Sequence, residues 1–156
     1  MPPSTLIILP CHSIYIGDGN LPKAVLHNPK DNGPGSKEEE WILASFQKEA
    51  QDQHCLLKHL YTSINLLSNN LSDSLLVISG GYTKPEIRKS ESFSYLQVAR
   101  ERGIVDDNLE KSILLEQYAR DSYENVLFSL CTFRQAAGVC QSTLRLLVSS
   151  SRESVF

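Results

Sequence analysis

One segment constrains the fold of this chain more than any other. Residues 75–79 form a short apolar run, β-branched toward its end, and Gly80 and Gly81 follow it at once. Such a run predicts a buried strand, and the paired glycines predict a tight turn where the strand ends. Because glycine adopts positive φ readily, we expect both glycines to do so and to let a ligand approach the main chain closely.

The residues after this turn predict a polar loop and then a helix. The loop spans residues 82–91, and the helix carries Phe93, Leu96 and Ala99 on one face before Gly103 ends it. In open α/β sheets, ligands bind beyond the carboxyl ends of the strands. The strand, turn, loop and helix therefore predict the functional edge of such a sheet.

Further elements complete an alternating pattern of strands and helices. Residues 6–9, 112–116 and 144–148 are short apolar runs that predict three more strands. A capping box at Ser36 and Glu39 predicts a helix with Trp41, Ile42 and Phe46 as its apolar stripe. The alternation predicts a single α/β domain with a mainly parallel sheet of about four strands covered by helices.

Two longer helical segments lie between these strands. Residues 52–67 carry an apolar stripe at the helical period, and Asn69 and Asn70 follow as a plausible end. His54 and His59 lie off that stripe, so we expect both to be exposed to solvent. The second helix begins at a capping box and ends at Gly138, and its expected apolar residues are Val126, Leu127, Leu130, Cys131 and Phe133.

Composition excludes several classes of protein. The chain has 156 residues, 41% of them apolar and 21% charged, which is ordinary for one globular domain. A net charge of −3 without a cluster of basic residues argues against nucleic-acid binding. The four cysteines form no C-x-x-C pair, so we expect reduced thiols and no metal site. No signal peptide or membrane span is predicted, and the expected location is the cytoplasm.

Residues 17–37 are rich in glycine and proline and break any helical or strand period. A loop of this length is unusual inside a compact domain. The segment is therefore either a lid over the site or a disordered insert, and we expect a flexible loop.

The carboxyl ends of the predicted strands define a candidate site. Right-handed crossovers bring these ends to one edge of the sheet, and helix N-termini with a glycine turn favour an anion such as a phosphate there. The strand ends contribute His12, Ser13, Ser79, Gly80, Gly81, Glu116 and the serines at 149–151, and the loops contribute Lys84, Arg88, Glu91, Arg120, Asp121 and Glu124.

Several of these residues also have a purely structural interpretation. Glu91, Asp121 and Glu124 stand where helix caps are expected, and His12 can bond to loop backbone instead of a ligand. Glu116 is different, because a carboxylate at a buried strand end needs a partner. Arg120 or Lys84 are the candidate partners.

Three motifs in order resemble a known family. They are SGGYTKPE at residues 79–86, the Ser90-Glu91 pair, and LEQYARDSYEN at residues 115–125. The chain is similar here to the YdcF/SanA/ElyC-type domain family, whose biochemical role is undefined. The residues of its motifs are closest to those of the fungal, soluble branch. The resemblance implies a Rossmann-like three-layer sandwich. The motif residues that carry over to a site are Ser79, Gly80, Gly81, Ser90, Glu91, Glu116, Asp121, Ser122, Glu124 and Asn125.

The resemblance also implies a candidate ligand. One bacterial member type has been linked to S-adenosylmethionine, although no general activity comes with the family. The similarity fades after Gly138, so we expect an altered or truncated end at residues 139–156. An exposed strand edge there predicts self-association, and residues 149–152 are expected to fray.

Three functional hypotheses remain open at this point. In the first, an enzyme acts on a small anionic or nucleotide-like molecule, with Glu116 or Glu91 as acid and base and Lys84 or Arg88 neutralising charge. In the second, the same crevice binds such a ligand without catalysis. In the third, an incomplete domain has no activity. The surroundings of Glu116 and Glu91 discriminate between the first two, because chemistry requires carboxylates that face an open pocket.

Overall fold

Four parallel strands form the sheet in the part of the chain that the computed structural model describes, residues 1–17 and 28–148. They are β1 (Thr5–Pro10), β2 (Ser74–Ser79), β3 (Ile113–Glu116) and β4 (Thr143–Leu146). Their order across the sheet is β3-β2-β1-β4. The predicted α/β class with a parallel sheet is confirmed.

Helices connect consecutive strands, as parallel pairing requires. A 3-10 helix (Glu38–Glu40), α1 (Ser45–Glu49) and α2 (Asp52–Asn69) lie between β1 and β2. The connection from β2 to β3 contains α3 (Glu91–Glu101) and α4 (Asp107–Glu110). Helix α5 (Ser122–Ala137) precedes β4.

The alternation of side chains along β1 divides the core into two parts. Ile7 and Leu9 pack with α2 and α3 on one face of the sheet, together with Leu76 and Ile78 of β2. Leu6 and Ile8 point to the other face, where they pack against Phe133 of α5. Because both faces of the central strands are covered, the fold has three layers and is Rossmann-like.

The predicted apolar stripe of α2 is confirmed. Its buried residues recur at the helical period and include Leu56, Leu57, Leu60, Tyr61, Ile64 and Leu67. His54 is exposed as expected, whereas His59 is only half-exposed. Asn70 follows the last turn, and Gly138 ends α5 with a φ of 72°.

The helix predicted after Ser36 is wrong. The carboxylate of Glu40 accepts a hydrogen bond from the Lys37 backbone N–H at 2.9 Å, which caps only a short 3-10 turn. The indole of Trp41 donates to the Gly35 carbonyl at 2.8 Å and anchors an extended segment. Phe46 belongs to α1 and is 65% exposed. Trp41 also pairs with Tyr15 in an isolated antiparallel bridge, so the chain is extended where the longer helix was expected.

Two other helices confirm only part of the apolar face predicted for them. In α3, Tyr95 and Val98 are buried with Leu96 and Ala99, whereas Phe93 is 39% exposed. In α5, Phe133 is the buried apolar residue of the predicted set, Val126 and Leu130 pack partly, and Leu127 and Cys131 are exposed. The predicted apolar face is therefore correct for Leu96, Ala99 and Phe133 and wrong for the exposed Phe93, Leu127 and Cys131.

A buried arginine organises the described end of the predicted flexible loop. Arg102 is fully buried, and its Nε donates to the Pro34 carbonyl at 2.6 Å. Its other nitrogens donate to the carbonyl of Asp31 at 3.2 Å and to the Tyr61 hydroxyl at 3.0 Å. Residues 28–37 are therefore fixed by specific contacts, while residues 18–27 of the predicted loop lie outside the described residues.

Strand β4 differs from the other three. It pairs with β1 on one side, and all four of its residues are exposed, including Leu144 at 45% and Leu146 at 42%. The predicted strand extended to residue 148, and the expected fraying at 149–152 lies outside the described residues. Among the helices described here, none is long and apolar enough to cross a membrane.

Candidate functional site

The sheet has one point where the strand order reverses, between β1 and β4. The chain leaves β1 toward β2 on one side, and β4 lies on the other side. Open α/β sheets form a ligand crevice at such a point, outside the carboxyl ends of the strands. A cavity of about 760 Å³ lies here, lined by Pro10, His12 and Ser13 after β1 and by Leu146 and Val148 at the end of β4.

One end of this cavity is polar. It is lined by His12, Thr83, Lys84, Glu91 and Ser122, all of them from loops or helix starts that follow strand ends. A smaller pocket of about 200 Å³ shares His12, Thr83, Glu91 and Ser122 with it. We call the region lined by His12, Thr83, Lys84, Glu91 and Ser122 the polar end. The smaller pocket is also lined by Cys11, Ala119, Arg120, Asp121 and Asn125.

Glu91 is the carboxyl group that faces this polar end. It is the first residue of α3, and its Oε1 accepts a hydrogen bond from the Thr83 hydroxyl at 2.9 Å. Burial raises the pKa of Glu91 to about 7, while the Thr83 hydrogen bond and the Lys84 charge lower that pKa by less. At neutral pH the carboxyl group therefore exists in both its protonated and its charged form.

The two glycines after β2 serve close packing instead of an unusual backbone conformation. In the described residues, the glycines with positive φ are Gly35, Gly103 and Gly138, so the expectation for Gly80 and Gly81 is wrong. A Cβ atom on Gly80 would lie 2.8 Å from the Cβ of Glu91, and one on Gly81 would lie 2.8 Å from the Ala119 carbonyl oxygen. The missing side chains allow α3 and the turn before α5 to approach the end of β2.

Glu116 has a different environment from Glu91. It is only 3% exposed, and its Oε2 accepts from the Ser79 hydroxyl at 2.5 Å. Its Oε1 accepts from the backbone N–H groups of Tyr118 and Ala119 at 2.6 and 3.0 Å. Neither Arg120 nor Lys84 is its partner, contrary to expectation, because backbone donors of the following turn are closer. Glu116 thus closes the turn that leads to α5.

Asn125 completes this closed cluster. It is buried in the first turns of α5, and its Oδ1 lies 2.9 Å from the Ser79 hydroxyl oxygen, whose single proton it shares with Glu116. Ser79, Glu116 and Asn125 therefore link β2, β3 and α5. Of these three residues, only Asn125 lines a pocket, the smaller one.

The cap that the sequence suggested at Asp121 is present, whereas α3 is capped by Ser90 and not by Glu91. Asp121 accepts from the Glu124 backbone N–H at 2.8 Å and begins α5. Glu124 forms an ion pair with Arg120 at 2.8 Å, which holds the pKa of Glu124 below its ordinary value through hydrogen bonds from that arginine. Ser90 caps α3 by accepting from the Phe93 N–H at 3.1 Å, and it donates to Gln117 at 2.9 Å.

Two further predicted residues have contrasting positions. Ser13 lines the cavity, but its hydroxyl donates to the Ile42 carbonyl at 2.6 Å and fixes the segment after the 3-10 helix. Arg88 is exposed on the loop after β2 and lines neither pocket. Of the two basic residues of that loop considered for the site, Lys84 is the one at the cavity.

Sequence reasoning missed one wall of the cavity. It consists of the segment at residues 42–47 and one face of α2, formed by Asp52, Cys55, Leu56 and His59. These four residues follow the spacing i, i+3, i+4, i+7, which is the signal that could have revealed the face. Burial, and secondarily Lys58, lowers the pKa of His59, so the neutral imidazole is favoured at the cavity.

The thiols and carboxylates do not form a metal-binding group in the described part of the chain. No cluster of three or more His, Cys, Asp or Glu side chains there has suitable geometry. Cys11 is buried beside Gly80, and burial raises its pKa well above the ordinary value, with the charges of Glu91 and Glu116 adding to the effect. The Cys11 thiol is therefore protonated and a poor nucleophile.

Comparison with known proteins yields one informative similarity. The chain is 27% identical, over an alignment of 168 residues, to the uncharacterised protein YOR238W of Saccharomyces cerevisiae. The alignment covers 83% of this chain and 53% of the yeast protein, so the chain spans about half the length of that relative. No protein-family model matches the chain, and no solved structure matches it.

Proposed function

We propose that this domain binds a small anionic or nucleotide-like ligand in the cavity between the carboxyl ends of β1 and β4. The observation that carries the proposal is the coincidence of the cavity with the reversal of strand order. Its volume of about 760 Å³ lies within the range of about 300–1,000 Å³ that is typical of small-molecule sites.

The polar end supports an anionic group on the ligand. Lys84 brings a positive charge to the cavity, and Ser122 is the first residue of α5, a helix of 16 residues. The N–H groups of a first helical turn, together with the helix dipole, favour a negative charge. S-adenosylmethionine is a second candidate, because it combines a carboxylate with a nucleoside.

The polar end also supports acid/base chemistry by one residue, Glu91. A carboxyl group with a pKa near 7 can accept and return a proton at neutral pH. It would do so beside the side chains of Lys84, His12, Cys11, Arg120 and Asp121, which line the same pockets. The competing proposal is binding without catalysis. Glu116, the second carboxylate of the predicted acid/base pair, favours this proposal because it bonds to backbone and does not line the cavity.

The YdcF/SanA/ElyC resemblance agrees with this location, and we propose that the chain is a member of that family. Its motif residues 79–81, 90–91 and 121–125 surround the carboxyl ends of β2 and β3 and the polar end of the cavity.

All four cysteines are free thiols, namely Cys11, Cys55, Cys131 and Cys140. Free thiols support a reducing compartment such as the cytoplasm.

A thermal-shift screen tests the ligand proposal. Nucleotides, sugar phosphates and S-adenosylmethionine are added to the purified chain, and a ligand of the folded state raises the melting temperature by several degrees at saturation. Lys84→Gln should weaken that effect, whereas Arg88→Gln, on the same loop but outside the cavity, should not. If no compound shifts the melting temperature, the proposal is overturned.

The free edge of β4 supports a separate proposal, that two copies of this chain associate. In the described residues β4 pairs with β1 alone, and Leu144 and Leu146 are exposed. Antiparallel pairing of two β4 strands about a two-fold axis would satisfy the unpaired backbone groups of both. Light scattering after size exclusion should show a dimer that Leu146→Lys weakens; a monomer at all concentrations contradicts it.

A further inference from the structure

The cavity lining has a polar part and an apolar part, and this difference bears on the class of ligand. The inference rests on the proposed function, since it assumes that the cavity is a ligand site. Apart from the residues of the polar end, much of the lining is apolar and comes from four separate parts of the chain. We call this region the apolar compartment; it is lined by Ile14, Ile42, Leu43, Phe46, Leu56 and Leu146.

Polar groups stand at the border of this compartment. Asp52 and His59 lie on the same face of α2 as Leu56, one turn to either side of it. The imidazole of His59 is half-buried, and its neutral form offers one donor and one acceptor. Asp52 offers only acceptors when ionised. An apolar surface edged by groups of this kind matches a flat ring with hydrogen-bonding edges.

We propose that the ligand is a nucleoside 5′-phosphate whose base occupies the apolar compartment and whose phosphate lies at the polar end. Phe46, Asp52 and His59 are then the residues that contact the base. An aliphatic group would fill the same space but would desolvate Asp52 and His59 without replacing their hydrogen bonds to water. A heteroaromatic base covers the apolar lining with its faces and presents N–H and ring nitrogen atoms at its edge.

Phe46 provides the most direct test of this arrangement. It lines the cavity and is 65% exposed, so its side chain is available to stack on a planar ring. Because it contributes little to the core, Phe46→Ala should leave the fold intact. Phe93→Ala is the matched control, since Phe93 is also a partly exposed phenylalanine on a helix but lines neither pocket.

The experiment compares probes that carry or lack a base. Adenosine, guanosine, cytidine and uridine 5′-monophosphates, ribose 5-phosphate and inorganic phosphate are titrated into the full chain, with saturation-transfer NMR and calorimetry as readouts. At least one nucleotide should bind about tenfold more tightly than ribose 5-phosphate, because the buried base adds apolar contact area. Its base protons should receive saturation, and Phe46→Ala should weaken its binding severalfold while Phe93→Ala does not.

The possible results separate this inference from the proposed function. If ribose 5-phosphate or inorganic phosphate binds as tightly as every nucleotide, the base assignment is overturned and the anion site stands. The same conclusion follows if the two phenylalanine variants bind nucleotide equally well. If none of the probes binds, both this inference and the phosphate-containing form of the proposed function are rejected. His59→Gln, which keeps a donor and an acceptor, should retain more binding than His59→Leu.

Discussion

The carboxyl edge of the sheet has two regions with opposite properties. At the ends of β2 and β3, Ser79, Glu116 and Asn125 bond to one another and to backbone, and the region is closed. At the ends of β1 and β4, the strands border a cavity of about 760 Å³, and the region is open. Both carry polar side chains after apolar strands, so residue type alone does not separate them.

The difference follows from how the chain enters and leaves each pair of strands. Helices α2 and α3 pack on one face of the sheet, and α5 packs on the other. The path from β1 therefore leads to one face, while β4 is reached from the opposite face, and the two connections diverge. At β2 and β3, the turn after β3 instead lies against Gly81 and seals the edge. A ligand crevice therefore requires connections that diverge from neighbouring strands as well as polar residues at the strand ends.

Removing the carboxylate from the closed region should have the largest effect. Glu116→Ala leaves the N–H groups of Tyr118 and Ala119 without their acceptor and the Ser79 hydroxyl with one partner fewer. We expect a loss of about 3–5 kcal/mol in the free energy of unfolding, because buried donors lose charged acceptors. Chemical denaturation measures it. A loss below about 1 kcal/mol would show that the cluster is not a structural unit.

A side chain at Gly81 should also disrupt the closed region. Its Cβ would lie 2.8 Å from the Ala119 carbonyl oxygen, a backbone atom that cannot move alone. Gly81→Ala should cost about 2–3 kcal/mol of unfolding free energy, within the range for overpacking. Gly138→Ala is the control, because its Cβ meets nothing within 4 Å and its cost of about 1 kcal/mol comes only from the positive φ. Equal costs would refute the packing role.

In the open region, replacing Glu91 should stabilise the protein at alkaline pH. The ordinary carboxyl pKa of 4.5 rises to about 7 in the folded state, so the folded chain holds more protons between these values. Stability therefore falls as pH rises through this window. Glu91→Gln removes this fall and should be about 3 kcal/mol more stable than the parent near pH 8, with no difference near pH 4.

Unfolding curves recorded across this pH range provide the measurement. Glu124→Gln is a useful control, because the Arg120 ion pair lowers the pKa of Glu124 and its removal should change stability in the opposite direction. A parent and a Glu91→Gln variant with parallel pH profiles would mean that Glu91 is solvated in the folded state.

The smallest effect is expected where the two regions meet, at the start of α5. Asp121 caps the helix and also lines the smaller pocket. Asp121→Asn should change the free energy of unfolding by less than about 0.5 kcal/mol, because asparagine caps a helix about as well as aspartate. If the variant loses ligand binding at an unchanged melting temperature, the charge of Asp121 serves the ligand and the open region extends to this residue.

Much of the fold could be predicted from the sequence because its signals are local. Short apolar runs located β1, β2 and β3 to within about a residue, and the α2 stripe followed from its period. The cap at Asp121 is also local, since its side chain bonds to the backbone three residues further on. Patterns of this kind indicate which residues are buried and which side chains hydrogen-bond to the free backbone groups at a helix end.

The site depended on contacts between distant parts of the chain. His12, Lys84, Glu91 and Ser122 were candidates from sequence, but only their positions relative to the strand reversal bring them to one cavity. Glu116 looked equally suited to chemistry and instead closes a turn. The α2 face with Asp52 and His59 was absent from the expectation, because exposure to a cavity and exposure to solvent produce the same polar pattern in a helix.

The sequence by itself determined the α/β class, the positions of most strands and helices, and the caps, because these depend on burial and hydrogen bonds between near neighbours. Tertiary structure decided which strand end is open. It also decided that Glu91 is buried at the cavity, which raises its pKa, and that Glu116 bonds to the backbone N–H groups of the following turn. Those environments arise only when β1, β4, α2 and α5 pack around the same point.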